Sequence, residues 1–139
     1  MPAKTTMPSV LSALAFLVSA ILTLPSSVEA QKPARITGTY TNMHYVAEAG
    51  DVIGYEIKIV STGDRFQAAV QIAEGVPGEM VVVDVQLDDG MISFSIPDSN
   101  SYAGQFRGTI ENGVLKGEFL FKNGGAKKVE LRRGKSYWD

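Results

Sequence analysis

The sequence has no cysteine and a single histidine, His44, among its 139 residues. Without cysteine there can be no disulfide bond, no thiolate metal site and no lipid-modified N-terminal cysteine. One histidine is too few for a zinc site of the ordinary type, and no calcium-loop motif or G-x-S-x-G nucleophile motif occurs. We therefore predict an exposed histidine, no catalytic residue, no metal and no cofactor. Fifteen acidic residues leave a carboxylate pair as an open alternative.

The chain also lacks a marked charge of either sign. Thirteen Lys and Arg residues stand against fifteen Asp and Glu residues, which gives a formal net charge of −2. The richest basic cluster, Lys127, Lys128, Arg132 and Arg133, lies mostly on alternate positions around Glu130, a pattern typical of a solvated strand face. The sequence therefore predicts no nucleic-acid partner.

The first thirty residues have the pattern of a secretory signal peptide. Lys4 precedes an apolar run over residues 10–24, and Val28-Glu29-Ala30 has the small-x-small form of a cleavage site. A run of about fifteen residues is short for a spanning helix, so a retained membrane anchor is the weaker alternative. We predict cleavage after Ala30, one domain over residues 31–139, and export to a bacterial periplasm or exterior with no membrane attachment after cleavage.

The stretch around Asn112-Gly113 predicts a β-hairpin. This dipeptide is the one that best accommodates positive φ at both central positions of a two-residue type I′ turn. With that turn, Gly108 lies opposite Gly117 and Phe106 lies opposite Phe119. Because side chains alternate along a strand, these four residues share one apolar face.

A second hairpin is predicted directly after the first. A three-residue loop over residues 124–126 sets Phe119 opposite Leu131 and places Glu118 beside Arg132. The three strands would then carry an exposed Arg107–Glu118–Arg132 charge ladder. Such surface pairs contribute about 0–1 kcal/mol each, so their main effect would be on strand register.

Two further two-residue turns are predicted upstream, and each pairs apolar positions with apolar positions. They are Thr62-Gly63, which pairs Ile59 with Phe66, and Asp89-Gly90, which pairs Leu87 with Ile92, Val85 with Phe94 and Val83 with Ile96. Residues 42–51 are predicted as a looser region.

No segment after residue 30 has a helical period, so we predict about eight antiparallel strands joined in sequence order by short turns. Eight strands with one apolar face can bury it by closing into a barrel or by folding into a sandwich. Closure also removes both sheet edges. The predicted fold is therefore an all-β, up-and-down barrel whose first strand, around Ile36–Tyr40, pairs with its last. A β-sandwich is the alternative.

Short glycine and aromatic motifs recur along the chain. They are G-T-Y at Gly38–Tyr40, F-R-G-T-I from Phe106, E-N-G-V-L-K-G-E-F from Glu111 and V-E-L-R-R from Val129. This spacing resembles that of small calycin-like β-barrel modules, similar to lipocalins and avidins, in secreted bacterial proteins of unknown function. Tyr40 stands where lipocalins and avidins usually have tryptophan. The resemblance implies the fold and the compartment, and it implies no activity, although some similar modules are joined to hydrolase domains.

The aromatic residues and the paired glycines are the candidate binding residues. An eight-stranded barrel is only wide enough for its own side chains, so the simplest interpretation is that they form a filled core. The alternative is a small apolar pocket at one mouth, in which the glycines make space and tyrosine hydroxyls orient a ligand. The candidate pocket residues are Tyr40, Tyr55, Phe94, Phe106, Gly108, Gly117, Phe119 and Trp138, the last of which would plug an open end.

Three functions remain open at this point. The first is non-enzymatic binding of a small apolar or amphipathic molecule. The second is a structural or protein-interaction module with a filled core, which acts through an exposed face or through the C-terminal Tyr137-Trp138 tail. The third and weakest is an accessory module to a hydrolase, or a carboxylate enzyme. A continuous cavity at the level of Gly108 and Gly117 would favour the first, and a solid core with exposed aromatic residues would favour the second.

Overall fold

The computed structural model describes residues 1–3 and 35–139. The predicted signal peptide, apart from residues 1–3, and its cleavage site lie outside the described residues. Residues 35–139 form nine antiparallel strands and contain no helix. The strands are β1 (Gly38–Thr41), β2 (His44–Val46), β3 (Asp51–Ser61), β4 (Phe66–Gly75), β5 (Val81–Asp88), β6 (Met91–Ile96), β7 (Gly104–Glu111), β8 (Val114–Phe121) and β9 (Ala126–Arg133). No helix in the described part of the chain is long and apolar enough to cross a membrane.

The sheet closes on itself through β1. Tyr40 pairs with Ile57 of β3 on one side and with Arg133 of β9 on the other, so eight strands form a closed ring. Apart from the β1–β9 closure, each strand of the ring pairs with the ring strand that follows it along the chain. The short strand β2 lies outside the ring. The predicted all-β, up-and-down barrel with its first strand paired to its last is therefore confirmed, and the sandwich alternative is not what forms.

The ninth strand, β2, is a bent continuation of β1 along β3. Thr41 pairs with Glu56 and His44 pairs with Ile53, so both strands keep one register. At the bend, the Met43 Cα would lie 2.8 Å from a Cβ placed on Gly54, and the chain can cross there only because Gly54 has none. The prediction of a looser region over residues 42–51 is therefore wrong for residues 44–46, which form β2. His44 is exposed, as predicted, but it lies on β2.

The Asn112-Gly113 and Asp89-Gly90 turns form as predicted. Asn112 and Gly113 have φ of 51° and 76°, and Asp89 and Gly90 have φ of 47° and 80°, as type I′ turns require. The first turn sets Gly108 opposite Gly117 and Phe106 opposite Phe119, and the second sets Leu87 opposite Ile92. These predicted pairs are confirmed.

The loop between β8 and β9 lies two residues earlier than predicted. It spans residues 122–124, because the position with positive φ is the third one and Gly124 (φ 90°) occupies it. The Gly124 N–H donates to the Phe121 carbonyl at 3.0 Å. Leu131 therefore faces Leu115 rather than Phe119, and Glu118 faces Lys128 rather than Arg132. The predicted Arg107–Glu118–Arg132 ladder is wrong.

The loop between β3 and β4 is also displaced, by one residue. Gly63 (φ 95°) is the first of its two central residues rather than the second, and the Thr62 N–H donates to the Arg65 carbonyl at 2.9 Å. Ile59 consequently faces Ala68 instead of Phe66. Both register errors move a partner by an even number of residues, so every side chain stays on its predicted face.

The barrel interior holds one contiguous apolar cluster. Its members come from every strand of the ring, and most are less than one-tenth exposed. The largest fully buried side chains are Tyr40, Phe106, Phe119, Ile57, Ile59, Ile92, Leu115, Leu131 and Val70.

Candidate functional site

Four of the predicted pocket residues come together inside the barrel. The Phe119 ring centroid lies 4.8 Å from that of Phe106 and 5.3 Å from that of Tyr55, and Phe94 stacks on Phe106 at 4.9 Å. Phe106 and Phe119 are fully buried, and the other two are less than one-tenth exposed. The four rings pack against one another as a core cluster, at distances typical of favourable aromatic pairs.

The space between Gly108 and Gly117 is filled by the ring of Phe106. A Cβ on Gly108 would lie 2.9 Å from the Phe106 Cζ, and a Cβ on Gly117 would lie 2.7 Å from the Phe106 Cε2. Both distances are shorter than a van der Waals contact. The two glycines therefore make room for a neighbouring side chain of the protein itself.

On the outer side of the wall, the same glycines lie at the base of a depression of about 470 Å³. Its walls carry charged side chains of both signs, among them Arg107, Glu118 and Lys128. The concavity at the glycine level thus opens on the outer surface, and five of its ten lining residues are charged.

Tyr40 lies apart from the aromatic cluster, at the seam between β1 and β9. Its hydroxyl donates to the Ile36 carbonyl at 2.8 Å and accepts from Arg133 Nη2 at 2.5 Å. The Arg133 guanidinium carbon is 5.1 Å from the Tyr40 ring centroid, a cation–π distance. Burial raises the pKa of Tyr40, and the positive charge of Arg133 partly offsets that rise. The hydroxyl is engaged in holding the seam.

Trp138 lies on the outer face of β3 and β4. Its Nε1 donates to the Gln71 side-chain oxygen at 2.8 Å, while the residue as a whole is 55% exposed. The preceding residues bind Glu56, whose carboxylate accepts from Ser136 Oγ at 2.6 Å and from the Tyr137 N–H at 2.8 Å. Glu56 is thereby only 4% exposed although it points outward. The C-terminal segment, residues 134–139, is docked on the wall, and the prediction that Trp138 plugs an open end is not what the structure shows.

Sequence reasoning missed a cleft between β5 and β6. Only three residue pairs join these strands, from Gln86–Ser93 to Asp88–Met91. The predicted continuation to Val85–Phe94 and Val83–Ile96 does not form. Residues 81–85 pair with β4 alone, and residues 94–96 pair with β7 alone.

The cleft has a volume of about 500 Å³. Its floor is formed by three inward side chains, Val83, Phe94 and Phe106, which are themselves almost completely buried. Its rim is formed by outward side chains, and Val82 among them is 65% exposed. The rim residues are Val82, Asp84, Gln86, Ser93, Ser95, Pro97, Gln105 and Arg107.

The cleft follows from the way β5 divides its partners. Its first five residues pair with β4 and its last three pair with β6, as happens where a strand turns the corner of a strongly coiled sheet. The Asp89-Gly90 turn fixes pairing close to itself, and no feature of the alternation along β5 marks where the pairing ends. The one available signal is the Val81-Val82-Val83 run, which places an apolar side chain on the outward face.

The chemistry offered by the cleft is recognition by backbone groups and by two charges. The Asp84 carboxylate accepts from Gln67 Nε2 at 3.0 Å, and Arg107 stands on the opposite rim. Among residues 35–139, no three His, Asp or Glu side chains are grouped so that they could hold a metal ion.

Comparison of the chain with protein-family models, with curated proteins and with solved structures finds no match. The resemblance to calycin-like barrels therefore stays a prediction. The function has to be argued from the geometry of this barrel.

Proposed function

We propose that the protein is a non-enzymatic, exported protein-interaction module that acts through its outer wall. The observation that carries this proposal is the position of the Phe106 ring in the gap between Gly108 and Gly117. That gap is the space in which a ligand of a hollow barrel would have to lie. With the gap occupied, the interior serves stability, and recognition falls to the surface.

The tyrosine residues expected to orient an internal ligand support the same proposal. The Tyr40 hydroxyl already bonds to Ile36 and Arg133, and the Tyr55 ring stacks on Phe119 inside the core. An internal ligand would have to displace these contacts as well as Phe106. Replacing well-packed aromatic contacts costs several kcal/mol, about 3–5 for a whole phenylalanine side chain.

The outer wall carries features that suit a macromolecular partner. The β5–β6 cleft places unpaired strand edges beside the exposed Val82, and the C-terminal segment holds the exposed Trp138 in a fixed position. Aromatic and apolar anchors next to unsatisfied hydrogen-bonding groups are the usual ingredients of a protein interface. Neither the cleft nor the exposed Trp138 requires a catalytic activity.

Native mass spectrometry of the protein purified from its own host tests the proposal, with denaturing extraction of the same sample alongside. We expect the mass of the processed chain alone or in complex with another protein. A reproducible small-molecule adduct that is released on denaturation would overturn the proposal in favour of a carrier. A Phe106→Ala variant soaked with benzene is the positive control, because an apolar cavity of that kind binds benzene and would show that the measurement detects an internal ligand.

A further inference from the structure

We infer that the cleft between β5 and β6 binds a short extended segment of a partner protein, which adds a strand to the free edge of β5. This inference rests on the proposed function, since it names the surface and the kind of partner of an interaction module. It depends on three observations: the unpaired edge, the size of the cleft and the side chains around it.

The edge of β5 supplies the main attraction. On one side, residues 81–85 pair with β4, from Val81 opposite Val70 to Val85 opposite Phe66. On the side of β6, pairing in the described chain stops at Gln86. Alternate residues of a strand direct both their N–H and their C=O to the same side, so part of this five-residue stretch presents an unpaired donor–acceptor array. Such an edge is a template for strand addition.

The size of the cleft limits how much of a partner it can hold. One residue of a strand occupies about 3.3 Å along the strand, about 4.8 Å across it and about 10 Å through the sheet, or roughly 160 Å³. A cleft of about 500 Å³ therefore has room for about three residues. The partner segment is short, and it is flanked by residues that lie outside the cleft.

The side chains around the cleft indicate which segment fits. The floor formed by Val83, Phe94 and Phe106 is apolar but nearly closed, so the residue that points inward has to be small and apolar. Asp84 on the β5 side and Arg107 on the β7 side carry opposite charges. A fitting segment therefore has a small apolar residue at its centre, a basic residue toward Asp84 and an acidic residue toward Arg107.

The test uses the full chain after removal of residues 1–30 and a synthetic probe, the capped pentapeptide Thr-Lys-Val-Glu-Thr, in which the central valine points to one face and the lysine and glutamate beside it point to the other. In a heteronuclear NMR titration at millimolar peptide, we expect shift changes concentrated at the amides of residues 81–85 and 94–96. A peptide of the same sequence with every backbone amide nitrogen methylated has no N–H to donate and cannot pair as a strand. It should lose the effect. Equal binding of the two peptides, or no shift at these amides, would overturn the inference.

Charge reversal separates the proposed orientation from non-specific association. Arg107→Glu should weaken binding of the probe about tenfold, because the glutamate of the peptide then faces a like charge. Lys58→Glu is the matched control, since Lys58 is exposed on the outer face of β3 away from the cleft rim. Equal weakening by both variants would show that the cleft does not determine the contact.

A cross-linking arm distinguishes failure of this inference from failure of the proposed function. A photo-reactive benzoylphenylalanine is placed at Val82, and at the exposed Tyr45 of β2 as the matched site, and the protein is irradiated in its host. A protein adduct formed at position 82 and not at position 45 supports the inference. A protein adduct formed only at position 45 leaves an interaction module whose partner avoids the cleft, which overturns the inference alone. A small-molecule adduct in native mass spectra overturns both.

Discussion

At position 117 only glycine fits, because the Phe106 ring occupies the space that a side chain would need. The Arg107 carbonyl oxygen closes the same space from the other direction, 2.5 Å from the place of a Cβ. At the scale of single residues, the question of whether this barrel is hollow or filled is thus decided at one position. The contact also gives the question a direct test.

We expect Gly117→Ala to lower the free energy of unfolding by about 1–3 kcal/mol, the usual cost of an extra methyl group in a packed core. Urea unfolding measures it. Gly134→Ala is the matched control, because no atom lies within 4 Å of a Cβ at that position. If Gly117→Ala were as stable as the parent, the Phe106 ring would have room to move and a pocket would be available after all.

At the bend between β1 and β2, the Asn42 side chain accepts a hydrogen bond that a backbone carbonyl would accept in a regular ladder. Its Oδ1 accepts the Tyr55 N–H at 2.8 Å, while its own N–H donates to the Tyr55 carbonyl at 3.1 Å. We expect Asn42→Ala to destabilise the protein by about 1 kcal/mol, because the Tyr55 N–H loses its acceptor. Hydrogen exchange should become faster at the Tyr55 amide. Asn42→Asp keeps an acceptor and should preserve the protection; equal loss in both variants would contradict this role for the side chain.

At the scale of elements, the Asn112-Gly113 turn fixes the register of β7 and β8. Asn112 has a left-handed conformation, which is unfavourable for a β-branched residue. We expect Asn112→Val to lower the free energy of unfolding by about 1–2 kcal/mol in thermal or urea unfolding. Asn112→Gly should be close to neutral, since glycine adopts this conformation freely. Similar losses in the two variants would mean that the asparagine side chain, and not the backbone conformation, matters.

The same turns explain how much of the fold could be predicted from the sequence. Asn-Gly and Asp-Gly each fill both positive-φ positions of a two-residue turn, so they determine the loop without ambiguity. Gly63 and Gly124 each fill a single positive-φ position, and the sequence does not say whether that position comes first, second or third in its loop. A register shift by an even number of residues leaves each side chain on the same face of its strand. The residues that face the core could therefore be predicted even where the cross-strand partners could not.

The candidate sites were predictable to a smaller degree. The aromatic cluster follows from alternation, and Phe94, Phe106 and Phe119 meet because their strands are neighbours. The position of Trp138 depends on an outward glutamate 82 residues earlier in the chain, a relation that no local pattern encodes. The cleft depends on where the pairing of β5 with β6 ends, which is set by the coiling of the whole sheet.

The C-terminal segment gives an element-scale prediction with a built-in probe, because Trp138 is the only tryptophan. We expect Glu56→Ala to release the segment, since Ser136 and Tyr137 lose their common acceptor. Tryptophan emission should then shift to the red and become more accessible to acrylamide. Lys58→Ala is the matched control on the same face of β3. An unchanged emission in Glu56→Ala would show that the Gln71 contact alone holds the segment.

At the scale of the whole molecule, buried tyrosines make the fold sensitive to alkali. Burial is the main cause that raises the pKa of Tyr40, Tyr55 and Tyr102, and nearby Glu74 adds to the rise for the last two. A native pKa above the unfolded value means that the native state holds its proton more tightly. Stability is therefore fully present below about pH 10, the ordinary tyrosine pKa, and falls as the pH rises through the native values.

We expect the urea midpoint to fall less steeply with rising pH above pH 10 in Tyr55→Phe than in the parent. The midpoint of each protein is compared with its own midpoint at neutral pH. The replacement removes one of the groups that must ionise on unfolding. Tyr45→Phe is the matched control, because Tyr45 is 57% exposed. Parallel curves for all three proteins would show that tyrosine ionisation does not control the alkaline transition.

The ring closes between β1 and β9 through two residue pairs, Tyr40–Arg133 and Thr41–Arg132. Its partners lie more than ninety residues apart in the chain, whereas nearly all other strand pairs are joined by a short loop. The entropy of bringing distant segments together makes such a contact slow to form, so local hairpins are expected to assemble first and the seam last. Until then an incomplete barrel has two open edges, and the time spent in that state, more than the final stability, sets its exposure to aggregation and to proteases.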